Sequence, residues 1–294
     1  MKTIQTLIKD IYDVVGSNEG WFTGAIAEDF SRELNLKLVE RSQPRNERGT
    51  LRLSKMGEYC PCQLWHSVHS PMDAERPQPH ALIKFTYGDI LETLVIALAK
   101  AAGHEVTGEQ DEVTLDGVKG HRDCVIDGCI VDVKSVNSLG FQKVKSGLVP
   151  TDPFLRDYLD QLDGYTVASY EDPLVRIKDK AYIVFIDKVL GKLALYEHYV
   201  REASIRSRIE TYKRIVEGPC PACSCGKVPD GKAGNIKLDV KASYNPFKYQ
   251  CNPNLRTFIY SDGPRYLTKV VKRPMYQGVP VLEVDRHGKI VHNY

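Results

Sequence analysis

Apolar residues recur at helical spacing at the start of the chain, where Ile4, Leu7, Ile8 and Ile11 share a face, and a second such stretch runs from Ala25 to Leu36. This predicts a helical segment to about Glu40, able to act as a lid, a packing arm or a contacting lobe. The stretch SPMDAERPQPH, Ser70 to His80, breaks the periodicity and predicts a loop. From Phe85 to Ala102 the pattern is again helical, with Leu91, Leu94, Val95 and Leu98 as the buried stripe and Gly103 closing the end. Short strand-like segments follow: HEVTGEQDEVTLDG, then HRDCVIDG and CIVDVKSV, the last two joined at Asp127-Gly128, a tight hairpin signal. A helix from Asp152 to Ser169 precedes two strands, Ala181 to Lys188 and Leu193 to Val200, around a turn containing Gly191. Arg201 to Glu217 reads as a basic amphipathic helix. Beyond Gly218 the texture changes to Gly, Pro, Lys and Cys, with a strand pair expected around Asp285 to Gly288. Helices alternating with strands around a small mixed sheet predict an α/β (α+β) core.

Composition narrows this picture. At 294 residues, 42% hydrophobic and 27% charged, the chain can bury one large core or two modest ones, which excludes global disorder. The net charge of +2 means that a polyanion would have to be met by a local basic patch. There is no uncharged apolar run long enough to cross a bilayer and no secretion-type start, so a cytoplasmic protein with no membrane partner is expected. In that compartment, the eight cysteines are better read as reduced thiols or metal ligands than as a disulfide framework.

Candidate chemistry concentrates on the predicted hairpin. Asp132 and Lys134 alternate on one strand and so share a face, and the turn at Asp127-Gly128 would bring Asp123 alongside. Charged groups on an otherwise apolar strand face are costly to desolvate unless they meet a partner or a cation. Two converging carboxylates suit magnesium or manganese, and the lysine can stabilise developing phosphorane charge or help to generate hydroxide. Glu92 shares its helix face with Val95, Ile96 and Ala99, which makes it a candidate third carboxylate ligand. Gln161 and Tyr165 lie one turn apart, where an amide and a phenol could contact a phosphate or orient a base.

The segment GHRDCVIDGCIVDVKS resembles the metal-binding hairpin of the PD-(D/E)XK nuclease superfamily. FTYGDILE before it and QLDGY after it resemble the flanking motifs of the RecB-type exonuclease branch. Glu92 stands where RecB-type members often carry a histidine and many phage-type exonucleases an acid. The resemblance runs from about Arg52 to Glu217 and implies a restriction-endonuclease-like core, with a central mixed sheet flanked by helices. It also implies metal ligands at Asp123, Asp132 and the Val133 carbonyl, a catalytic lysine at Lys134, and the branch's Gln and Tyr motif at Gln161 and Tyr165.

Cys60 and Cys62 lie in YCPCQLWH, Cys220, Cys223 and Cys225 in CPACSCGK, and Cys251 stands alone. A Cys-x-x-Cys turn points two thiolates at one ion, and distant cysteines can complete the shell. YCPCQLW resembles the segment that supplies the first iron-sulfur ligand in CRISPR-adaptation and related helicase-nuclease members, whose other three cysteines follow the nuclease core. An iron-sulfur cluster, Zn2+ and free thiols all remain open. Cys60, Cys220, Cys223 and Cys251 are the first choice of ligands, with Cys225 as the substitute, and Asn245 stands where a cysteine might be expected. Cys124 and Cys129 read as small core residues.

Basic residues mark the last core helix (Arg201, Arg206, Arg208, Lys213, Arg214), while in the tail aromatic residues interleave with Lys248 and Arg256. Such a surface suits a single-stranded nucleic acid, with Arg206, Arg208, Lys248 and Arg256 as expected contacts. Three regions are thus expected: an N-terminal helical segment with the first Cys motif (1–80), a nuclease core (81–217) and a Cys-rich basic module (218–294). The expected function is a Mg2+- or Mn2+-dependent DNA exonuclease in recombination, repair or phage DNA processing, acting on DNA with a free end or single strand, with a recombination protein as a candidate partner. An endonuclease of the same fold and a catalytically silent DNA-binding or assembly subunit are the alternatives.

Overall fold

The computed structural model describes residues 2–43, 49–57 and 60–291. In chain order, helices α1 (Leu7–Gly16), α2 (Gly24–Ser42), α3 (Pro61–His69) and α4 (Pro79–Ala101) precede strands β1 (Val106–Thr107), β2 (Glu112–Leu115), β3 (Val118–His121), β4 (Cys124–Ile126) and β5 (Cys129–Val136). Helices α5 (Ser138–Lys145) and α6 (Asp157–Ala168), strands β6 (Ile177–Asp187) and β7 (Leu193–Tyr199) and helix α7 (Glu202–Glu217) follow. The remainder is β8 (Lys227–Asp230), β9 (Asn235–Leu238), α8 (Val240–Ser243), α9 (Lys248–Cys251), β10 (Arg256–Tyr260), β11 (Gly263–Lys269), β12 (Met275–Tyr276), β13 (Val279–Pro280) and β14 (Leu282–Val284). No helix among the described residues is long and apolar enough to cross a membrane.

The chain divides into two compact units, the first drawn from Met1–Asn46, Leu51–Gly57 and Pro77–Glu210 and the second from Glu47–Thr50, Glu58–Arg76 and Thr211–Tyr294. The first unit is a mixed α/β layer built on a five-stranded sheet of order β1-β4-β5-β6-β7. Only the β5/β6 pair is parallel, and α5 and α6 make its crossover. Val131 and Val133 of β5 join Leu91, Val95 and Ala99 of α4 and Leu7 and Ile11 of α1 in one buried cluster, with Cys124 and Cys129 packed inside it as small apolar groups. Because strand side chains alternate, Asp132 and Lys134 face the other side, toward α6. The β4/β5 turn carries positive φ at both Asp127 (51°) and Gly128 (81°), the backbone of a type I′ turn whose twist matches its strands.

The second unit is organised around an antiparallel five-stranded sheet of order β14-β10-β11-β9-β8, where the sequence pattern predicts only a strand pair near Asp285. That pair is present in reduced form: after β14 the chain turns through Asp285 to Gly288 and bridges back at Ile290. The apolar content is small and split. Phe258, Leu267 and Val281 form one cluster, and Phe247 forms another with Cys60, Cys62 and Cys251.

Candidate active site and thiol centre

In the first unit, the β4/β5 register pairs Cys124 with Val131, and continuing it sets Asp123 across from Asp132. The carboxylate of Asp123 caps the short strand: its Oδ2 accepts from the Val133 N–H at 2.8 Å, taking over a ladder bond that β4 is too short to supply. Arg122, completely buried, anchors the approach by ion pairs to Asp111 (2.7 Å) and Asp172 (2.6 Å). Lys134 Nζ stands 2.6 Å from Asp132 Oδ2 and 4.0 Å from Asp123 Oδ2, and 5.5 Å from the centre of the Tyr158 ring. Glu92 of α4 is near enough to feel the Asp123 charge, but the oxygens of Glu92, Asp123 and Asp132 do not all lie within 4.8 Å of one another. Glu92 Oε1 accepts from Lys37 Nζ at 2.5 Å and from Gln110 Nε2 at 3.0 Å.

The electrostatics are those of a cluster short of positive charge. Burial and then the Asp123 charge push the Glu92 carboxyl up to about 7. Burial also drives Asp132 well above the carboxylate range, against the pull of Lys134. Burial alone would lower the Lys134 ammonium, but the charges of Asp132 and Asp123 outweigh it and hold the group protonated. Asp132 is 1% exposed, and apart from Lys134, which contacts it without good hydrogen-bond alignment, its carboxylate has no polar partner among the described residues. A buried carboxylate left this way is costly. The orphaned Asp132 oxygen pair, with Asp123 across the strand pair, has the donor chemistry that suits a hard divalent cation such as Mg2+ or Mn2+.

Gln161 and Tyr165 sit on α6, the amide Nε2 donating to the phenol oxygen at 2.8 Å. Burial raises the Tyr165 hydroxyl pKa, so it stays protonated. The close approach of β3 to this ring requires glycine at 120, since a Cβ there would lie 2.7 Å from Tyr165 Cε1.

In the second unit, sulfur atoms of Cys60, Cys223, Cys225 and Cys251 all lie within 4.8 Å of one another. Cys60 is the residue before α3, where Pro61 starts the helix, and Cys251 ends α9. Asn245 fixes the chemistry of the group. Its Oδ1 accepts from the Phe247 N–H at 2.8 Å, which turns its Nδ2 toward the sulfurs of Cys225 and Cys251, 3.4 Å from each. The Cys225 N–H likewise points at Cys223 Sγ (3.4 Å). Donors aimed at sulfur suit thiolates, the form that binds metal. A single zinc ion with bonds of about 2.3 Å requires sulfurs about 3.8 Å apart. The spacing, within 4.8 Å throughout, accommodates such an ion, and four thiols are also the donor set of an iron-sulfur cluster.

Two sequence expectations change here. Cys225, not Cys220, joins Cys60, Cys223 and Cys251, because the chain between Cys220 and Cys223 carries Cys220 to the neighbouring Cys62 and His66. Lys248, expected on a nucleic-acid face, is 4% exposed: it pairs with Glu75, lies over the Tyr266 and Tyr249 rings, and burial lowers its pKa to about 8. The other basic candidates also have internal partners. Arg256 makes a two-bond fork to Glu283, both bonds at 2.7 Å; Arg206 pairs with Asp116 and Glu202; Arg208 pairs with Asp160. The Tyr59 that opens YCPC lies outside the described residues.

No family model matches the chain, and no curated protein matches it. Among solved structures, it is similar to SSO0001, at 19% identity over 78% of this chain and 98% of that one, with a TM-score of 0.43. It is also similar to LHK-Exo, an alkaline exonuclease from Laribacter hongkongensis, at 15% identity over 58% of this chain and 89% of that one. The TM-scores are 0.40 for its complex with dAMP and 0.36 for a second structure.

Three residues at the carboxylate cluster escaped the sequence reading. Lys37 belongs to α2, just beyond the apolar stretch that ends at Leu36, in a helix with no buried residue. Gln110 adopts a left-handed backbone (φ 55°) in the β1–β2 loop, and Tyr158 lies in the first turn of α6, one turn before Gln161. The only signal available for Lys37 was its spacing from Arg41: one turn apart, they meet Glu92 and Asp89 of α4.

Proposed function

We infer that the first unit is a divalent-metal-dependent nuclease site that hydrolyses phosphodiester bonds in DNA. The observation that carries this is Asp123 set across from Asp132 with Lys134 beside both, leaving Asp132 buried and under-partnered. The PD-(D/E)XK resemblance of the same residues supports it. Asp123 and Asp132, with Glu92, would hold Mg2+ or Mn2+, and the Val133 carbonyl is the further ligand that the resemblance implies. When bound, such an ion polarises the phosphate and lowers the pKa of a coordinated water.

The chain's own groups supply the rest. Lys134 is held protonated by the aspartates and faces the cluster, so its ammonium stabilises negative charge as it develops on phosphate oxygens. Gln161 fixes the Tyr165 hydroxyl through the 2.8 Å bond, and the pair can donate to a phosphate on the α6 side. Lys37 covers Glu92 in the absence of an ion and must yield as one enters. In the second unit, Cys60, Cys223, Cys225 and Cys251 fit one structural zinc ion.

An exonuclease acting on free ends is the form favoured by the sequence resemblance. Digestion of end-labelled linear DNA beside covalently closed circles, with Mg2+ or Mn2+, tests it. Cutting of the closed circles would replace the exonuclease with an endonuclease of the same fold. Inactivity on every DNA form would leave a silent binding subunit.

A further inference from the structure

Four of the clustered thiols account for one ion, and three donors remain beside them. Cys62 and His66 lie one turn apart on α3, and Cys220 comes from the segment after α7. Their ligand atoms all lie within 4.8 Å of one another. Cys220 Sγ is 3.8 Å from Cys62 Sγ and 3.8 Å from His66 Nε2. A tetrahedral zinc with bonds of about 2.3 Å to sulfur and about 2.0 Å to nitrogen spans edges of about 3.5 to 3.8 Å, so these gaps match.

The imidazole is set up as a ligand. His66 Nδ1 is 3.0 Å from Ser70 Oγ, which holds the ring so that Nε2 faces Cys220. Metal-bound histidines characteristically have the second nitrogen occupied in this manner. The ring also stacks near Phe247, at 5.8 Å and 18°, and meets the edge of Trp65 at 5.2 Å. Cys251 belongs to the four-thiol group and not to this one, so the fourth position here is left to solvent on the exposed Cys220 side.

We propose that Cys62, His66 and Cys220 hold a second zinc ion whose fourth position is filled by a water. Each thiol that enters the shell releases its proton to solvent, and nothing is oxidised or reduced. Cys220 is exposed, so the second ion borders solvent and exchanges faster than the first. The proposal rests on reading the four-thiol group as a single-ion site.

The test is metal analysis of the tag-free full chain, purified anaerobically without chelator. The wild type is expected to carry about two zinc ions. Cys220→Ser and His66→Asn should each carry about one, with an unchanged circular dichroism spectrum, and Cys251→Ser should lose the first ion. Cobalt(II) in place of zinc gives a second readout, since His66→Asn should alter the visible bands of one ion only. One ion per chain in the wild type, two ions that survive both single substitutions, or a Cys62–Cys220 disulfide in the purified protein would overturn the second site and leave the first standing. Iron with inorganic sulfide would overturn both. If a substituted protein fails to fold, zinc titration of the wild type decides instead: two steps with separable affinities support the proposal, and a single step ends it.

Discussion

The carboxylate cluster rides on a buried sheet, and the thiol cluster rides on helix ends and loops. Asp132 and Lys134 are fixed by β5, whose neighbours β4 and β6 are themselves buried, so their geometry exists before any ion arrives. The sulfurs are gathered from chain segments 165 residues apart, as the Cys225–Cys60 contact shows, and the apolar groups around them are few. The first unit can therefore fold without metal and bear the electrostatic cost at its site. The second closes its Cys60 to Cys251 junction with a small apolar group, the Lys248–Glu75 pair and two hydrogen bonds between 73–75 and 246–250, to which the proposed metal would add its bonds. On the proposed reading, hard and soft donors are segregated accordingly: oxygens where rigidity would suit an ion that exchanges ligands, sulfurs where an ion would itself be the fastener.

The largest effect should come from removing the soft metal. Structural zinc sites contribute on the order of 10 kcal/mol of apparent binding free energy at neutral pH. Chelation, or Cys251→Ser, is expected to abolish the cooperative melting of the second unit and expose its amides to hydrogen exchange, while protection of β5 and β6 persists. Equal loss of protection in both units would erase the contrast between a preformed site and a metal-closed one.

Asp132→Asn should act in the opposite sense. The fold should be retained or stabilised, because the substitution relieves a buried carboxylate, while DNA hydrolysis should fall by roughly 10³-fold. Rates on end-labelled DNA with Mn2+, beside the zinc content of the same sample, give both halves of this expectation. A variant that keeps near-wild-type hydrolysis would remove Asp132 from the chemistry.

The sequence makes one of these clusters more legible than the other. Asp123, Asp132 and Lys134 can be placed because period-two alternation and a Asp-Gly turn are local rules that leave one register. Glu92 follows from helical spacing, and the Gln161–Tyr165 bond from a separation of one turn. The thiol partners obey no such rule. Which of Cys220 and Cys225 reaches Cys60 depends on the path of an irregular segment, and the deciding Asn245 bonds are invisible to a pattern. The aromatic and basic tail misled for a related reason: Lys248 alternates with aromatics as a nucleic-acid surface would, but those rings close over it. Helix α2 was visible as a helix, yet none of its residues is buried and its ties to α4 include the ion pairs of Lys37 and Arg41, which an apolar pattern does not mark.

A third expectation concerns pH in the metal-free first unit. Glu92 has a folded-state pKa raised to about 7 from 4.5, so between those values the folded chain holds a proton that the unfolded chain has lost. Stability should therefore fall as pH rises through this window, by at most about 3 kcal/mol at roughly 1.4 kcal/mol per unit. Glu92→Gln should flatten the dependence, as should saturating Mg2+, which replaces the proton. Denaturant melts from pH 5 to 8 would show it, and a wild-type curve no steeper than that of Glu92→Gln would mean that Glu92 is not strained by its neighbours.

The smallest effect distinguishes whether Lys37 guards the carboxylates or serves them. Its ammonium, 2.5 Å from Glu92 Oε1, occupies the side of the cluster that an entering cation would neutralise. Both groups are partly solvated, so their coupling is modest, on the order of 1 kcal/mol. At pH 8, where protons compete little for Glu92, Lys37→Met should tighten Mn2+ binding by roughly 3- to 5-fold in calorimetry without DNA, because the ion no longer has to displace a like charge. Weaker binding in the variant would instead mean that Lys37 holds Glu92 in its ligating position. In that case α2 belongs to the rigid scaffold of the site, and the contrast with the thiol cluster becomes sharper.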